Sequence, residues 1–161
     1  MNTDGKNVLV EGNTLWQGEG NTYIDGPLVS WPRGDWTVRN NTITMDSGSV
    51  NGRSGFIGYS GPVDDREAAT SYFLDNTCNN CGMYVYNSEN IVVRGNTFNQ
   101  GHIAMQYFTN AIIENNAVVD STRCWAYRFL QVSGQASGNT YNGESFDIPL
   151  SDNPWDGCWI N

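Results

Sequence analysis

Apolar and polar residues alternate in short pairs along this chain, and each pair is followed three places later by an asparagine. Val8 and Val10 precede Asn13, Trp36 and Val38 precede Asn41, Ile91 and Val93 precede Asn96, and Ala111 and Ile113 precede Asn116. Alternation with period two marks a short strand with one buried face. Another apolar residue lies two places beyond Asn13, Asn41, Asn76, Asn96, Asn116 and Asn139: Leu15, Ile43, Cys78, Phe98, Val118 and Tyr141. Each asparagine therefore joins two strands. The six are 28, 35, 20, 20 and 23 positions apart, periods that mean stacked structural units. A left-handed turn is expected at each asparagine itself, since Asn tolerates that conformation. Stacked at about 4.8 Å, the amides are expected to bond along a column. Further strands follow: Met83 and Val85 inward with Tyr84 and Tyr86 outward, then Ile103 and Met105 in the same register, then WAYRFLQV.

The run IVVRGNTF also fits the leucine-rich pattern L-x-L-x-x-N-x-L. Only six leucines, period-two return segments and units of 20 to 35 residues favour β-coils instead. The phrases RNNTI, RGNTF and ENNAV resemble the parallel β-helix repeat of the pectin-lyase-like superfold, over residues 7–143. That resemblance implies an all-β fold: a right-handed parallel β-helix, a solenoid of about six coils with three short sheets. Residues 1–161 are read as one domain, with an irregular C-terminal cap over 144–161 carrying Trp155 and Trp159. The superfold carries lyases, hydrolases, epimerases, adhesins and phage tailspikes, so function has to be argued from a site.

Residues 1–6 offer no amphipathic cap, and stacked repeats need capping. The expectation is a fragment, or contact with another chain, end to end or in a homo-oligomer. Net charge is −9 with Lys6 the only lysine, which argues against nucleic-acid backbone and polybasic membrane contact. No stretch has the length of a membrane-spanning helix, and no signal peptide is visible. A charged fraction of 16% with 18 glycines suits a secreted, extracellular or virion-surface rod.

Cys78 occupies an inward position and reads as a core thiol. With Cys81 it also forms a C-x-x-C pair, which suits a disulfide or half a metal site. A Cys124–Cys158 bridge would tie the tail to the last coils, whereas a four-cysteine zinc site lacks its second close pair.

Chemistry is expected in two insertions, 17–34 and 46–70, because regular coils serve as scaffold. Trp16, Tyr23, Trp31, Tyr59, Tyr84 and Tyr86 are candidate surfaces for sugar rings. Trp16 should point outward above a polar row of Asn79, Asn99 and Asn142, and Trp36 should lie in the core. Glycoside hydrolysis needs two carboxyls flanking the bond, from Asp46 with Asp64, Asp65 or Glu67. A lyase needs a base and a cation beside a uronate carboxyl, with Arg53, Arg66, Arg123 or His102 as candidates, although arginine is a poor base. The resemblance implies that some β-helix lyases use an arginine with Ca²⁺ held by acidic side chains. No family catalytic motif is present, so no catalytic residue is carried over, and no metal site is assigned. His102 is the sole histidine, the natural acid–base group near neutral pH, though its place reads as an ordinary surface position. Arg94 and Glu114 should stack as an exposed ion pair. The expected partner is a polysaccharide; the competing class is a non-catalytic rod of an adhesin, fibre or tailspike.

Overall fold

The computed structural model describes residues 8–17, 29–31, 36–45, 54–59, 70–121, 126–148 and 150. Candidate residues Tyr23, Asp46, Arg53, Asp64, Asp65, Arg66, Glu67 and Arg123 lie outside them, as do Cys124 and Cys158. The described residues are nearly all strand and contain no α-helical element.

Two sheets of parallel strands make up the fold. The first runs β1 (Val8–Glu11), β4 (Trp36–Arg39), β7 (Thr70–Leu74), β9 (Gly82–Arg94), β11 (Ile103–Glu114) and β13 (Tyr127–Ser137). Alongside, β3 (Val29–Trp31) pairs with β6 (Ser54–Tyr59), which pairs with the start of β9. The second sheet runs β2 (Thr14–Gln17), β5 (Thr42–Met45), β8 (Thr77–Asn79), β10 (Thr97–Asn99), β12 (Ala117–Val119), β14 (Thr140–Tyr141) and β15 (Glu144–Ser145). Every pair is parallel except the last, where β15 turns back antiparallel on β14. The long strands β9 and β11 pair first in the β6 row and then in the β7 row, so the first sheet curls.

A column of asparagines joins the sheets. Each Oδ1 accepts both the backbone N–H and the side-chain amide of the asparagine one unit earlier. Asn41 gives these bonds to Asn76 at 3.0 and 2.9 Å, and Asn96 gives them to Asn116 at 3.1 and 2.9 Å. The amide also donates backward to strand carbonyls, as from Asn96 to Phe73 O at 2.9 Å. From Asn41 to Asn139 the column is essentially free of solvent. Buried amides are tolerated only when their hydrogen bonds are made, and here the neighbouring repeat units make them.

The expected turn position is corrected by one residue. The left-handed residue precedes each ladder asparagine: Gly12, Asn40, Asp75, Gly95, Asn115 and Gly138, with φ of 53 to 69°. The ladder residue must turn its amide inward, so the neighbour takes the strained dihedrals. Those neighbours are Gly, Asn or Asp, the residues that enter this region at least cost.

Inward side chains stack in columns. Leu15, Ile43, Cys78, Phe98, Val118 and Tyr141 share one register. Val10, Val38, Phe73, Val93 and Ile113 share another. Trp36 is core, as expected, at 1% exposure. The insertions are not wholly loops. Strand β6 lies within 46–70, and its Phe56 meets Phe73 edge to face at 4.8 Å. The core-thiol reading of Cys78 is corrected too: it is buried, but bonded to Cys81 as a disulfide. That bond also removes both sulfurs as zinc ligands, since thiolate is the ligating form.

Past β15, Phe146 N donates to Asn139 O at 2.9 Å and its ring stacks on Tyr127 at 5.2 Å. Ile148 is buried beside them. Trp155 and Trp159 lie outside the described residues.

Replacing Asn96 with alanine should destabilise the protein by about 2–4 kcal/mol, because it orphans the buried Asn76 N–H and several neighbouring groups. Arg94→Ala breaks an exposed ion pair and should cost about 1 kcal/mol or less. Urea denaturation of both variants checks this, and equal losses would contradict the ladder's role.

Candidate functional site

Register carries the outward residues of the second sheet's parallel strands into two rows. The first holds Thr14, Thr42, Thr77, Thr97, Ala117 and Thr140. The second holds Trp16, Thr44, Asn79, Asn99 and Val119. Side-chain bonds run along the second row: Asn79 Nδ2 donates to Thr44 Oγ1 at 3.0 Å, and Asn99 Nδ2 to Asn79 Oδ1 at 2.7 Å. Trp16 stands at one end of that row, 69% exposed, as its outward position predicts. Asn142 does not join the row. It sits at a left-handed corner with Asn80, Gln100 and Asp120, and its Oδ1 accepts the Asp120 N–H at 2.8 Å. The last unit is shorter between its ladder asparagine and that corner, which shifts Asn142 out of step.

The outer face of the first sheet is built differently. One row reads Glu11, Arg39, Leu74, Arg94, Glu114 and Ser137. Two ion pairs lie along it: Arg39 Nε to Glu11 Oε1 at 2.8 Å, and Arg94 Nη2 to Glu114 Oε2 at 2.9 Å, the latter as the sequence predicts. The Arg39 hydrogen bond holds the Glu11 carboxyl below its ordinary pKa. Beside this row lies an open groove of about 540 Å³, which Leu9, Thr37, Arg39, Thr70 and Tyr72 help to line.

His102 is not the surface residue its sequence position suggests. It is 8% exposed. Its ring lies where a side chain on Gly82 would be, so a Cβ there would fall 2.6 Å from Nδ1. Burial first, and the charge of Arg128 second, lower its pKa to about 4. It is neutral at pH 7 and a weak base. Arg128 pairs in register with Ala104, which pairs with Tyr84, so Tyr84 and Arg128 share an outward row near His102. The sequence reading passed over Arg128, yet its place between inward Tyr127 and Phe129 marks it as outward.

Of the aromatic candidates, Tyr84 is half-exposed on the first sheet and Trp16 stands on the second, so they do not share a face. Tyr59 pairs through its backbone with Tyr86, and Trp31 with Gly58. The carboxyls proposed for hydrolysis lie outside the described residues. Among the described residues, no three His, Cys, Asp or Glu side chains cluster closely enough to hold a metal ion.

The depressed pKa of His102 fixes a pH dependence. The unfolded chain takes up the imidazole proton near pH 6.5 and the folded chain only near 4, so stability should fall as pH drops through that window. Unfolding free energy measured between pH 7 and 5 should slope downward, and His102→Gln should flatten the slope. A single imidazole resonance titrating near 6.5 in the folded protein would contradict this. No protein-family model, curated protein or solved structure matches the chain.

Proposed function

We propose that this chain is a right-handed parallel β-helix of about six coils, working outside the cell or on a virion surface. On this reading it engages a polysaccharide through the outer face of its second sheet. Parallel pairing, in constant register through the second sheet, and the asparagine column support the helical reading. The observation that carries the function is Trp16, 69% exposed on a rigid strand at the head of a Thr–Asn row. An indole offers a large flat surface at little cost in side-chain entropy, suited to the C–H face of a pyranose ring. The amides and hydroxyls beside it are held in place by their own hydrogen bonds, which reduces the ordering cost of binding.

The second reading, a non-catalytic rod, is favoured by the ladder, which spreads stabilisation evenly along the stack. Electrophoresis of the protein through gels containing a panel of soluble polysaccharides separates the two. Retardation in at least one gel, weakened about tenfold or more by Trp16→Ala with an unchanged melting temperature, supports the glycan reading. Mobility unaffected by every polymer leaves the rod.

A further inference from the structure

Resting on that reading, we infer that the polysaccharide held by the second sheet is an uncharged one, lying across the strands along the row from Trp16 to Asn99. None of the eleven outward residues of β2, β5, β8, β10, β12 and β14 carries a charge: they are six Thr, two Asn, Trp, Ala and Val. In a chain of net charge −9, the surrounding field repels a polyanion, and among the described residues nothing on this face compensates. The arginines Arg39 and Arg94 stand on the other sheet, each already paired with a glutamate. A uronate or sulfate group laid here would lose hydration without gaining a cation, which is unfavourable. Sugar hydroxyls need only the neutral donors and acceptors that Thr and Asn supply.

Direction follows from the same rows. Polar groups recur from strand to strand at about 4.8 Å, so Trp16 and Asn99 are about 14 Å apart along the stack, room for a few pyranose rings. The indole takes one ring, and the linked amides of Asn79 and Asn99 meet the hydroxyls of rings farther along the row.

Gel-affinity electrophoresis with xylan, galactomannan and mixed-linkage glucan, against polygalacturonate and alginate, tests the inference. Retardation is expected with one or more neutral polymers, hardly changed by added salt, and with neither polyanion. Trp16→Ala should weaken it about tenfold, and Asn99→Ala roughly threefold, each at wild-type melting temperature. Trp16-dependent binding to a polyanion would overturn the inference while leaving the glycan reading intact. Binding that needs Trp16 but ignores both Asn79→Ala and Asn99→Ala would overturn the direction along the row. No Trp16-dependent binding to any polymer would overturn both.

Discussion

A buried primary amide has two hydrogens and an oxygen to satisfy, and in this protein they are met chiefly by the repeat units on either side. Because Asn96 takes two hydrogen bonds from Asn76 and gives two to Asn116, sliding one unit by a residue would strand several buried groups at once. The cost of an unmet buried hydrogen bond, about 1–3 kcal/mol each, accumulates over the column. Register is thus fixed at one corner of every unit, and everything outside that corner inherits it. The aligned rows on both outer faces are a consequence of this inner constraint.

The inner column and the outer rows carry different kinds of information. Val38, Phe73, Val93 and Ile113 can differ in size because each contacts its own neighbours in a shared column. Outward residues are free of that packing demand, and the two sheets have used the freedom differently. On the first, acid and base alternate as Glu11 with Arg39 and Arg94 with Glu114. On the second, the outward rows of the parallel strands carry no charge and Thr predominates. Stability alone does not distinguish these solutions, since exposed pairs contribute little. A difference between faces of one scaffold therefore points to what each face meets.

Much of this was legible in the sequence, because the ladder repeats a local phrase. Trp36 inward, Trp16 outward and the Arg94–Glu114 pair all follow from each residue's offset from its asparagine. What escaped was non-local or masked by glycine. SGFIGY reads as loop because Gly58 occupies the position where Val85 and Met105 stand in later units; only its neighbours reveal the strand. His102 is buried because Gly82, twenty residues earlier, leaves space for its ring, and no local pattern encodes that. The left-handed residue was assigned one place late because both it and the ladder residue are often Asn, as in Asn40–Asn41 and Asn115–Asn116. One needs an unusual backbone and the other an inward amide, and a single letter serves both.

The proposed binding face and the ladder obey the same geometry, which would connect fold to function more closely than a graft of residues on a scaffold. Asn99 donates to Asn79 across one strand spacing, as Asn96 does to Asn116 inside the stack, but in solvent rather than in the core. An exposed bond of this kind adds little stability. Its effect is to hold the amides in one orientation, with their remaining hydrogens and lone pairs directed outward at the strand repeat. A ligand with hydroxyls at intervals along an extended chain meets groups already oriented, and so loses less free energy in ordering them. Inward, the repeat produces cohesion; outward, it produces a regular neutral surface.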